Sequence, residues 1–504
     1  MTCVLGIDIG TTSTLGILIR LPDKVLAIET RPVDLFSERA GWAEEDPEQW
    51  WNNLCDIARS LIAKSGIAAD EIAGIGVAGM LPALVLLDDR GRLLRRSIQQ
   101  SDGRCAVEVE ELRAKIDQEA FVRVAGNGVN QQLIACKLRW IEKHEPDVFN
   151  RIATVFGSYD YINFRLTGER RIEQNWALEA GFVDLGAHKV SDALTAHAHL
   201  PPSAFPRKAN SHEIIGHLSA AAAGQTGLPA GLPVVGGAAD FIASALASGL
   251  VKPGDALLKF GGSVDVLAIS EQPKPDSRMF LDYHLVPGLF VPNGCMSTGG
   301  SALNWFVANF ARGEAAAAHA AGLTIHQYLD RLAGSAPAGA DGVAVVPYFL
   351  GEKTPIHDPF ARGAITGLSL NHGLSHLWRA LLESYVYAIA HHVEVFADMG
   401  VALSHFRASD GGASSRFWMQ IVADVLQKPV QLPVGHPGSC LGAAWTAAIG
   451  IGATSDWGGV DRFVGRGDLI RPNLEHASLY LDGYRAFRET YRRLNDVDRL
   501  GAAR

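Results

Sequence analysis

Positive charge is in short supply along this chain of 504 residues. The chain has 45 Lys and Arg against 54 Asp and Glu, so its formal net charge is −9. Proteins that bind nucleic acid or anionic bilayers through electrostatics usually carry an excess of basic residues. The composition therefore argues against nucleic acid and membrane surfaces as partners.

Cysteines and long apolar runs are also sparse. The longest apolar stretch, residues 72–87, contains three glycines and a proline and is shorter than the ~20 residues that cross a bilayer. The N-terminal residues lack a basic region, and Asp8 interrupts their apolar run. We therefore expect a cytoplasmic protein with no signal peptide and no membrane span. Its six cysteines have no CxxC or zinc-like spacing, which predicts reduced thiols at positions 3, 55, 105, 136, 295 and 440.

Length and patterning predict an α/β protein of more than one domain. At about 100–200 residues per domain, 504 residues exceed a single core, and 48% hydrophobic residues leave enough apolar surface to bury. Short apolar strands at 4–9 and 72–78 flank a helix predicted at 47–64. Asp46 and Gln49 predict a capping box at the start of that helix.

A similar pattern begins again after residue 232. Strands that run into glycine turns recur there, which indicates a weak internal repeat with a boundary near 246–254. Two unrelated glycine turns would give the same pattern, and the residues alone leave both interpretations open.

Three glycine turns, each after a strand, offer clustered backbone N–H groups. They lie at 10–12, 261–263 and 410–412, and the first two add hydroxyl groups. Such amides can bind phosphate oxygens, although a single glycine turn usually only reverses the chain. The sequence has no Walker motif and no GxGxxG fingerprint, which argues against P-loop and Rossmann folds. Together the turns favour a ligand with several phosphates.

Two aspartates follow strands and are candidates for chemistry. Asp8 ends an otherwise apolar strand, where a carboxylate needs a cation, a ligand or water, and Mg²⁺ accompanying phosphates is the simplest occupant. Bonding to turn amides is the alternative. Asp240 follows the glycines at 236 and 237 and opens a predicted helix. It fits either a helix N-cap or a general base for a substrate hydroxyl.

Motifs along most of the chain resemble those of the FGGY carbohydrate kinases. The similarity runs in the family's order from residue 6 to about 450, and its most specific part is GAITGL at 363–368 followed by HLWRALLE at 376–383. The other motifs are GIDIGTT at 6–12, WAEEDPEQWW at 42–51, SDGR at 101–104, KLRW at 137–140, GAAD at 237–240, FGGS at 260–263 and SDGGA at 409–413.

The resemblance implies an α/β fold of two actin-like, ribonuclease H-like domains around an interdomain cleft. The N-terminal domain, 1–248, would bind the sugar and supply the base, and the C-terminal domain, 249–504, would bind ATP with Mg²⁺. Matching motif positions assign Asp8 to the metal and Asp240 to the catalytic base. The same matching assigns Thr11, Thr12, Gly261, Gly262, Ser263, Gly299, Gly300, Gly411, Gly412 and Ala413 to the nucleotide, and Met80, Leu81, Gln100, Asp102, Gln132, Asp240, Phe241 and Asp265 to the substrate.

Within the family, the motifs resemble xylulokinases most, but the expected sugar-facing positions differ. Where xylulokinases show Gln-Met-His, this chain has Met80, Leu81 and Pro82, which removes an imidazole. Gln100 replaces a Trp, Phe241 replaces a polar residue, and Asp265 stands where the family has an apolar one. A pocket with relocated polar groups discriminates against the original hydroxyl pattern. Xylulose is therefore not expected to be the preferred substrate, although each change is also compatible with simple packing.

The expected function is ATP-dependent phosphorylation of a hydroxyl of a small sugar or polyol. The alternative is an actin-like nucleotide-binding regulator or scaffold without kinase activity. Phosphoryl transfer asks mainly for positioning, charge stabilisation and one group that orients or deprotonates the nucleophile, which matches one base and several amide-rich turns. Expected partners are the small-molecule substrate and at most a second copy in a homodimer.

Overall fold

The computed structural model describes residues 2–435 and 437–502. The chain forms two compact units, and each is built from more than one stretch of sequence. The first unit comprises Met1–Val251, Glu271–Val291 and Gly435–Gly465, and the second comprises Lys252–Ser270, Pro292–Val434 and Arg466–Arg504.

The strands alternate with helices along both units. They are β1 (Cys3–Ile9), β2 (Ser13–Arg20), β3 (Lys24–Pro32), β4 (Glu44–Glu45), β5 (Ile72–Gly79), β6 (Val85–Leu87), β7 (Ser97–Ile98), β8 (Thr154–Phe156), β9 (Arg171–Glu173), β10 (Val183–Asp184), β11 (Lys189–Val190), β12 (Arg207–Ala209), β13 (Ile214–His217), β14 (Pro233–Val235), β15 (Ala238–Ala239), β16 (Asp255–Phe260), β17 (Val264–Ala268), β18 (Phe280–Tyr283), β19 (Phe290–Cys295), β20 (Ala344–Val346), β21 (Ala364–Thr366), β22 (His405–Ser409), β23 (Val430–Val434) and β24 (Gly465–Ile470).

The α-helices vary from one turn to seven turns. They are α1 (Pro47–Ser65), α2 (Ala106–Arg113), α3 (Gln118–Ala125), α4 (Ile134–His144), α5 (Pro146–Phe149), α6 (Ser158–Thr167), α7 (Gln174–Glu179), α8 (Asp192–Thr195), α9 (Ala220–Thr226), α10 (Asp240–Ala247), α11 (Gly300–Phe310), α12 (Ala315–Ala320), α13 (Ile325–Ala333), α14 (Leu374–Asp398), α15 (Arg416–Leu426), α16 (Ser439–Gly450) and α17 (Ala477–Ala502). None of the helices within the described residues is both long and apolar enough to cross a membrane.

A twisted mixed sheet forms the centre of the first unit. Its strand order is β13-β14-β5-β1-β2-β3, and β15 also pairs with β5. The predicted strand at 4–9 is the central strand β1, and all seven of its residues are buried. It pairs parallel with β5 and antiparallel with β2, so the first turn of the chain closes a hairpin. A strand buried on both faces needs a nearly continuous apolar sequence, and β1 has one.

Glycines bring helix α16 unusually close to this sheet. A Cβ atom on Gly6 of β1 would lie 2.1 Å from the carbonyl oxygen of Cys440, and one on Gly76 of β5 would lie 2.2 Å from that of Ala443. A Cβ on Gly442 of α16 would lie 2.1 Å from the carbonyl oxygen of Ala243 in α10. Glycines at these points allow the backbone of α16 to approach both the sheet and helix α10 closely.

The sheet of the second unit has a similar strand arrangement. Its order runs β19-β17-β16-β22-β23-β24. Here β16 pairs antiparallel with β17 and parallel with β22, as β1 pairs with β2 and β5 in the first unit. The two hairpins and their parallel neighbours support the internal repeat that the sequence suggested.

Helix α1 forms where its apolar spacing predicted it, but its first turn differs from the prediction. Asp46 is the N-cap and accepts a hydrogen bond from the backbone N–H of Glu48. The expected capping box is absent from the described contacts, because the amide of Gln49 instead bonds Asp34. A partner 15 residues away along the chain competes for that side chain, and local spacing could not predict it.

Candidate active site

Three neighbouring strands of the first unit end at the same edge of the sheet. Asp8 of β1 lies opposite Ala78 of β5, and Ala238 of β15 lies opposite the same residue on the other side. Asp240 comes directly after β15, and Met80 comes directly after β5. The carboxyl ends of parallel strands are the usual place for ligands in α/β sheets. Asp8, predicted to bind the metal, and Asp240, predicted to be the catalytic base, therefore lie at the same edge of the sheet.

Asp8 is a buried carboxylate held by a hydroxyl group. Its exposed fraction is 8%, and its Oδ2 accepts a hydrogen bond from the Oγ of Ser439 in α16. The hydroxyl donor holds the carboxylate in one orientation. Among the described residues there is no cluster of three acidic, His or Cys side chains that could hold a metal ion. A lone carboxylate suits Mg²⁺, which is commonly bound by one or two carboxylates together with substrate phosphates.

Asp240 is the first residue of helix α10 and is partly exposed. Its Oδ1 accepts a hydrogen bond of 2.6 Å from the backbone N–H of Phe241. The N-cap position belongs to Ala239, so the structure does not place Asp240 as the helix cap. Partial exposure leaves this carboxylate accessible to a ligand at the strand ends. Phe241, one of the predicted substrate residues, is also partly exposed beside it.

Thr11 and Thr12 form the tip of the β1-β2 hairpin. The turn is closed by a hydrogen bond from the Gly10 N–H to the Ser13 carbonyl oxygen, at 3.0 Å. Thr11 is partly exposed and its hydroxyl lies 3.6 Å from the sulfur of Met80, while Thr12 is exposed. The hydroxyl groups therefore lie at the same sheet edge as Asp8.

Met80 and Leu81 line the end of β5 and are largely buried. Their exposed fractions are 2% and 7%. The Met80 N–H donates to the Ile9 carbonyl oxygen at 3.1 Å, and its own carbonyl oxygen accepts from the Ser158 hydroxyl at 2.7 Å. These bonds fix the segment that follows β5 against β1 and α6.

The carboxylate of Asp102 is occupied by protein groups. It accepts a hydrogen bond from the backbone N–H of Ala43 at 2.6 Å and bidentate hydrogen bonds from the guanidinium of Arg104 at 2.8 and 2.7 Å. Such bidentate pairs are among the strongest polar contacts in proteins. The contacts favour a role in holding the surrounding loops, and direct substrate binding by Asp102 stays a prediction.

The two predicted glutamines are both partly exposed. Gln100 accepts a hydrogen bond at its Oε1 from the backbone N–H of Ser101. Gln132 lies in the loop before α4, where its N–H donates to the side chain of Asn130. Their substrate roles remain predictions.

Three glycine-rich segments of the second unit, at 261–263, 299–300 and 411–413, meet around one cavity of about 560 Å³. This volume is in the range of pockets for small ligands. Gly261, Gly262, Gly300, Gly411 and Gly412 line it, and Ser263, Gly299 and Ala413 adjoin them in the sequence. The other lining residues are Phe260, Ser301, Leu303, Asn304, Thr324, His326, Gln327, Asp330, Trp378, Leu382, Ser414, Ser415 and Trp418.

Gly299 and Gly300 pack directly on the turn of the β16-β17 hairpin. The Gly300 N–H donates to the Gly261 carbonyl oxygen at 2.9 Å, and a Cβ on Gly300 would lie 2.7 Å from that oxygen. Gly299 is the N-cap of α11, so the first amides of this helix lie beside the hairpin turn. Helix N-termini and glycine turns both favour anions, which makes this part of the cavity suitable for phosphates.

Asp265 lies in the second unit, on β17. It is the cross-strand neighbour of Lys259 and of Cys295. Burial raises the pKa of the Cys295 thiol, and the nearby Asp265 carboxylate, which is hydrogen-bonded to it, raises it further. This thiol contact gives Asp265 a packing role, and its substrate role stays a prediction.

The cavity contains polar residues that the sequence did not single out. Asp330 of α13 accepts hydrogen bonds from the Trp378 indole at 2.8 Å and from the Ser415 hydroxyl at 2.6 Å. Burial raises the pKa of Asp330, and these two donors oppose the shift. The spacing of Thr324 and Gln327 fits a capping box, which could have located the start of α13.

Glu352, also unpredicted, supports the backbone that leads into Gly299 and Gly300. One of its carboxylate oxygens accepts the Ser297 N–H at 2.6 Å and the Lys353 N–H at 2.8 Å. Burial raises its pKa to about 7. No short motif distinguishes this glutamate from a surface residue.

Comparisons with known proteins match this arrangement. The chain matches the FGGY family of carbohydrate kinases, with its N-terminal domain at residues 3–247 and its C-terminal domain at residues 256–451. It is 31% identical to a xylulose kinase from Escherichia coli, over 97% of this chain and 98% of that one. It is 26% identical to a gluconokinase from Bacillus subtilis, over 94% and 92%.

A solved structure gives the same result. The crystal structure of xylulose kinase from Rhodospirillum rubrum is 55% identical in sequence and has a TM-score of 0.94, with 99% of this chain and all of that chain covered. The predicted α/β fold of two actin-like domains is confirmed, and a nucleotide-binding scaffold without kinase activity is not favoured. The chain belongs to the FGGY family of carbohydrate kinases and is an ATP-dependent phosphotransferase that acts on a sugar-type hydroxyl.

Proposed function

We propose that Asp240 is the general base with which this kinase phosphorylates a hydroxyl of a small sugar or polyol. The observation that carries the proposal is its place at the carboxyl end of β15, beside the ends of β5 and β1. Its partial exposure leaves it accessible to an acceptor. No other residue at this edge combines a carboxylate with such access among those that the sequence singled out, since Asp8 is buried and Asp102 is bonded to Arg104.

The proposed reaction transfers one phosphoryl group and one proton. The acceptor oxygen forms a bond to the γ-phosphorus of ATP while the bond from that phosphorus to the bridging oxygen of ADP breaks. The hydroxyl proton passes to the Asp240 carboxylate. General-base assistance of this kind contributes typically 10²–10⁴-fold to a rate.

The glycine-rich cavity of the second unit is the proposed ATP site. Backbone amides at the β16-β17 turn and at the start of α11 suit the phosphates, and the space next to Gly412 and Trp418 suits the adenosine. Asp8 is the residue that would hold Mg²⁺ together with the phosphates. The ion would neutralise phosphate charge during transfer.

The acceptor class is proposed from the family and from the first unit's strand ends. Two relatives are named xylulose kinase and gluconokinase, and both names denote small polyhydroxylated substrates. Met80, Leu81, Gln100 and Phe241 are the proposed acceptor contacts. We further propose that residues 1–248 form the sugar-binding domain and residues 249–504 the ATP-binding domain. The enzyme is proposed to be a cytoplasmic homodimer.

The test of the catalytic base is the substitution Asp240→Asn. It replaces the carboxylate with an amide of nearly the same shape, so we expect ATP affinity to be retained and kcat to fall at least ~10²-fold. A coupled assay of ADP formation with Mg²⁺ and the best acceptor measures kcat, and calorimetry measures the Kd for ATP.

The control is Asp147→Asn, on the short helix α5, which should leave both values unchanged. An Asp240→Asn enzyme that works at the wild-type rate would remove Asp240 from the mechanism. A parallel loss of ATP binding would assign it a role in folding or nucleotide binding instead.

A further inference from the structure

Lys137 is a fully buried lysine in helix α4 of the first unit. Its exposed fraction is 0%, although lysine is almost never fully buried unless its ammonium is paired. Within the described residues it takes part in no ion pair with a carboxylate at 4.0 Å or less. Burial of an ammonium group is costly, so its partners must be strong acceptors.

The partners of Lys137 are two backbone carbonyl groups. Its Nζ donates to the carbonyl oxygen of Gln99 at 2.6 Å and to that of Pro82 at 3.4 Å. Pro82 directly follows the proposed acceptor residue Leu81, and Gln99 directly precedes the proposed acceptor residue Gln100. One ammonium group therefore joins the two backbone segments that carry these contacts.

The backbone ladder between the two segments ends short of the acceptor contacts. The segments meet in an antiparallel bridge in which Leu84 and Ile98 exchange both N–H to carbonyl bonds, at 2.9 and 3.1 Å. The next pairing position of the first segment, two residues before Leu84, is Pro82, and proline has no N–H to donate. The ammonium of Lys137 supplies donors where the ladder ends.

The pKa of Lys137 remains above 7, so its side chain is a charged ammonium group at neutral pH. Burial lowers its pKa to about 8, and Arg104 lowers it as well, whereas Cys105 and Asp102 raise it. Below this pH the two bonds are made by a charged donor, and such bonds are stronger than neutral ones.

We propose that Lys137 is a positioning residue that clamps the Pro82 and Gln99 segments together and thereby sets the affinity for the acceptor. The proposal rests on the proposed function, because it takes Leu81 and Gln100 as acceptor contacts. Its effect is confined to the acceptor, since the glycine turns of the proposed ATP site belong to the second unit.

The first experiment compares Lys137→Met with the wild-type enzyme. Methionine keeps most of the aliphatic volume and removes the donor, so the two carbonyl groups lose their shared partner. Loss of hydrogen bonds from a charged group predicts a rise of ~10- to 100-fold in the acceptor KM. The KM for ATP should stay within about twofold, because uniform damage to the fold would change both constants.

The matched control is Lys143→Met, on the same helix. Lys143 is exposed, and its ammonium pairs with the half-exposed Glu111 and the buried Glu108 of α2. Both partners belong to α2 and not to the Pro82 and Gln99 segments, so we expect both KM values to be unchanged in this variant, although the loss of the buried Glu108 pair lowers its stability.

A second experiment uses the pH dependence of the wild-type enzyme and needs no substitution. The acceptor KM should rise as the pH increases through about 8, where Lys137 loses its proton, and the ATP KM should not. Arg104 stays charged in this range, the pKa of Cys105 is raised to about 11, and Asp102 is bonded to Arg104. Lys137→Met should lack this rise.

The outcomes separate the two proposals. An unchanged acceptor KM in Lys137→Met, or equal rises in both KM values, would overturn the positioning role. A wild-type acceptor KM that is flat across pH 8 would also overturn it. Full activity of Asp240→Asn would instead contradict the proposed function and leave the acceptor KM of Lys137→Met as an independent measurement.

Discussion

Glu45 in β4 is a carboxyl group without exposure to water. Its Oε2 accepts a hydrogen bond of 2.9 Å from the Trp50 indole, and its Oε1 has no hydrogen-bond partner in the described structure. Burial raises its pKa from 4.5 to about 8, and the bond from Trp50 offsets only part of that shift. Glu45 is therefore protonated in the folded enzyme at neutral pH.

This protonation makes stability depend on pH. Between pH 4.5 and about 8 the folded state holds a proton that the unfolded state has released, so the free energy of unfolding falls as the pH rises through that range. Glu45→Gln removes the titration. We expect the variant to lose this part of the slope and to exceed the wild-type protein by ~1–3 kcal/mol at pH 9.

Urea unfolding at pH 5, 7 and 9 measures this difference. The control is Glu119→Gln in α3, where the side chain is 88% exposed and pairs only at the surface with Arg123. A Glu45→Gln protein with the wild-type slope between pH 5 and 9 would show that Glu45 is ionised in the folded state.

At the scale of elements, adjacent glycines in the turn after β22 have different surroundings. A Cβ on Gly412 would lie 2.7 Å from the Cβ of Phe260 and 2.8 Å from the Trp418 ring, whereas a Cβ on Gly411 would meet nothing within 4 Å. Both residues line the proposed ATP site. They therefore form a matched pair that tests whether close packing at this turn shapes the nucleotide pocket.

We expect Gly412→Ala to weaken ATP binding and Gly411→Ala to leave it within about twofold. The methyl group on Gly412 must displace Phe260 or Trp418, and overpacking of this kind costs typically 1–3 kcal/mol, or ~5- to 150-fold if it falls on binding. Calorimetry with ATP and Mg²⁺ measures both Kd values. Equal Kd values for the two variants would place the nucleotide away from this turn.

The sequence predicted the elements whose signals are local. The strand at 4–9, the helix after Asp46 and the glycine turns all follow from apolar spacing and turn residues within a few positions. It did not predict Asp330 in the cavity, because α13 reaches that cavity only through tertiary packing. The Gln49 side chain likewise bonds Asp34 rather than its own helix. Contacts between distant segments lack a signature in one sequence.

The same limit applies to acidic residues beside glycine turns. Asp240 and Asp265 both follow glycine-rich stretches, yet the first directly follows a strand at the carboxyl-end edge of its sheet and the second lies within a strand beside Cys295. Strand register determines whether each aspartate lies at a strand end or within a strand, and register depends on pairing with distant parts of the chain.

At the scale of the whole molecule, one strand arrangement is used twice with different chemistry. Each unit has a hairpin whose first strand pairs in parallel with the next strand of its sheet. In the first unit the strand ends carry Asp8 and Asp240, and in the second the turns carry glycines around a cavity. Residues at the ends of strands can change while the buried strands keep the fold, so function varies without a change of architecture.

Acceptor specificity is the property of the whole enzyme that the family match leaves as a prediction. Buried Pro82 offers no side-chain hydrogen bond where xylulokinases have an imidazole, and Phe241 is apolar beside the proposed base. A hydroxyl group that loses its partner costs about 1–3 kcal/mol, or ~5- to 150-fold in kcat/KM. We therefore expect D-xylulose to be a poorer substrate than another polyhydroxylated acceptor.

Steady-state kinetics at saturating ATP, over pentuloses, hexuloses, tetritols and aldonates, measure this preference. Pro82→His returns an imidazole to the position where xylulokinases have one, so it should raise kcat/KM for D-xylulose and lower it for the preferred acceptor. Leu370→His, at a fully exposed position of the second unit, is the control for adding a histidine. If wild-type kcat/KM for D-xylulose reaches ~10⁴ M⁻¹s⁻¹ or more and exceeds that for every other acceptor, the pocket has kept its xylulose specificity, and Pro82 and Phe241 serve packing instead.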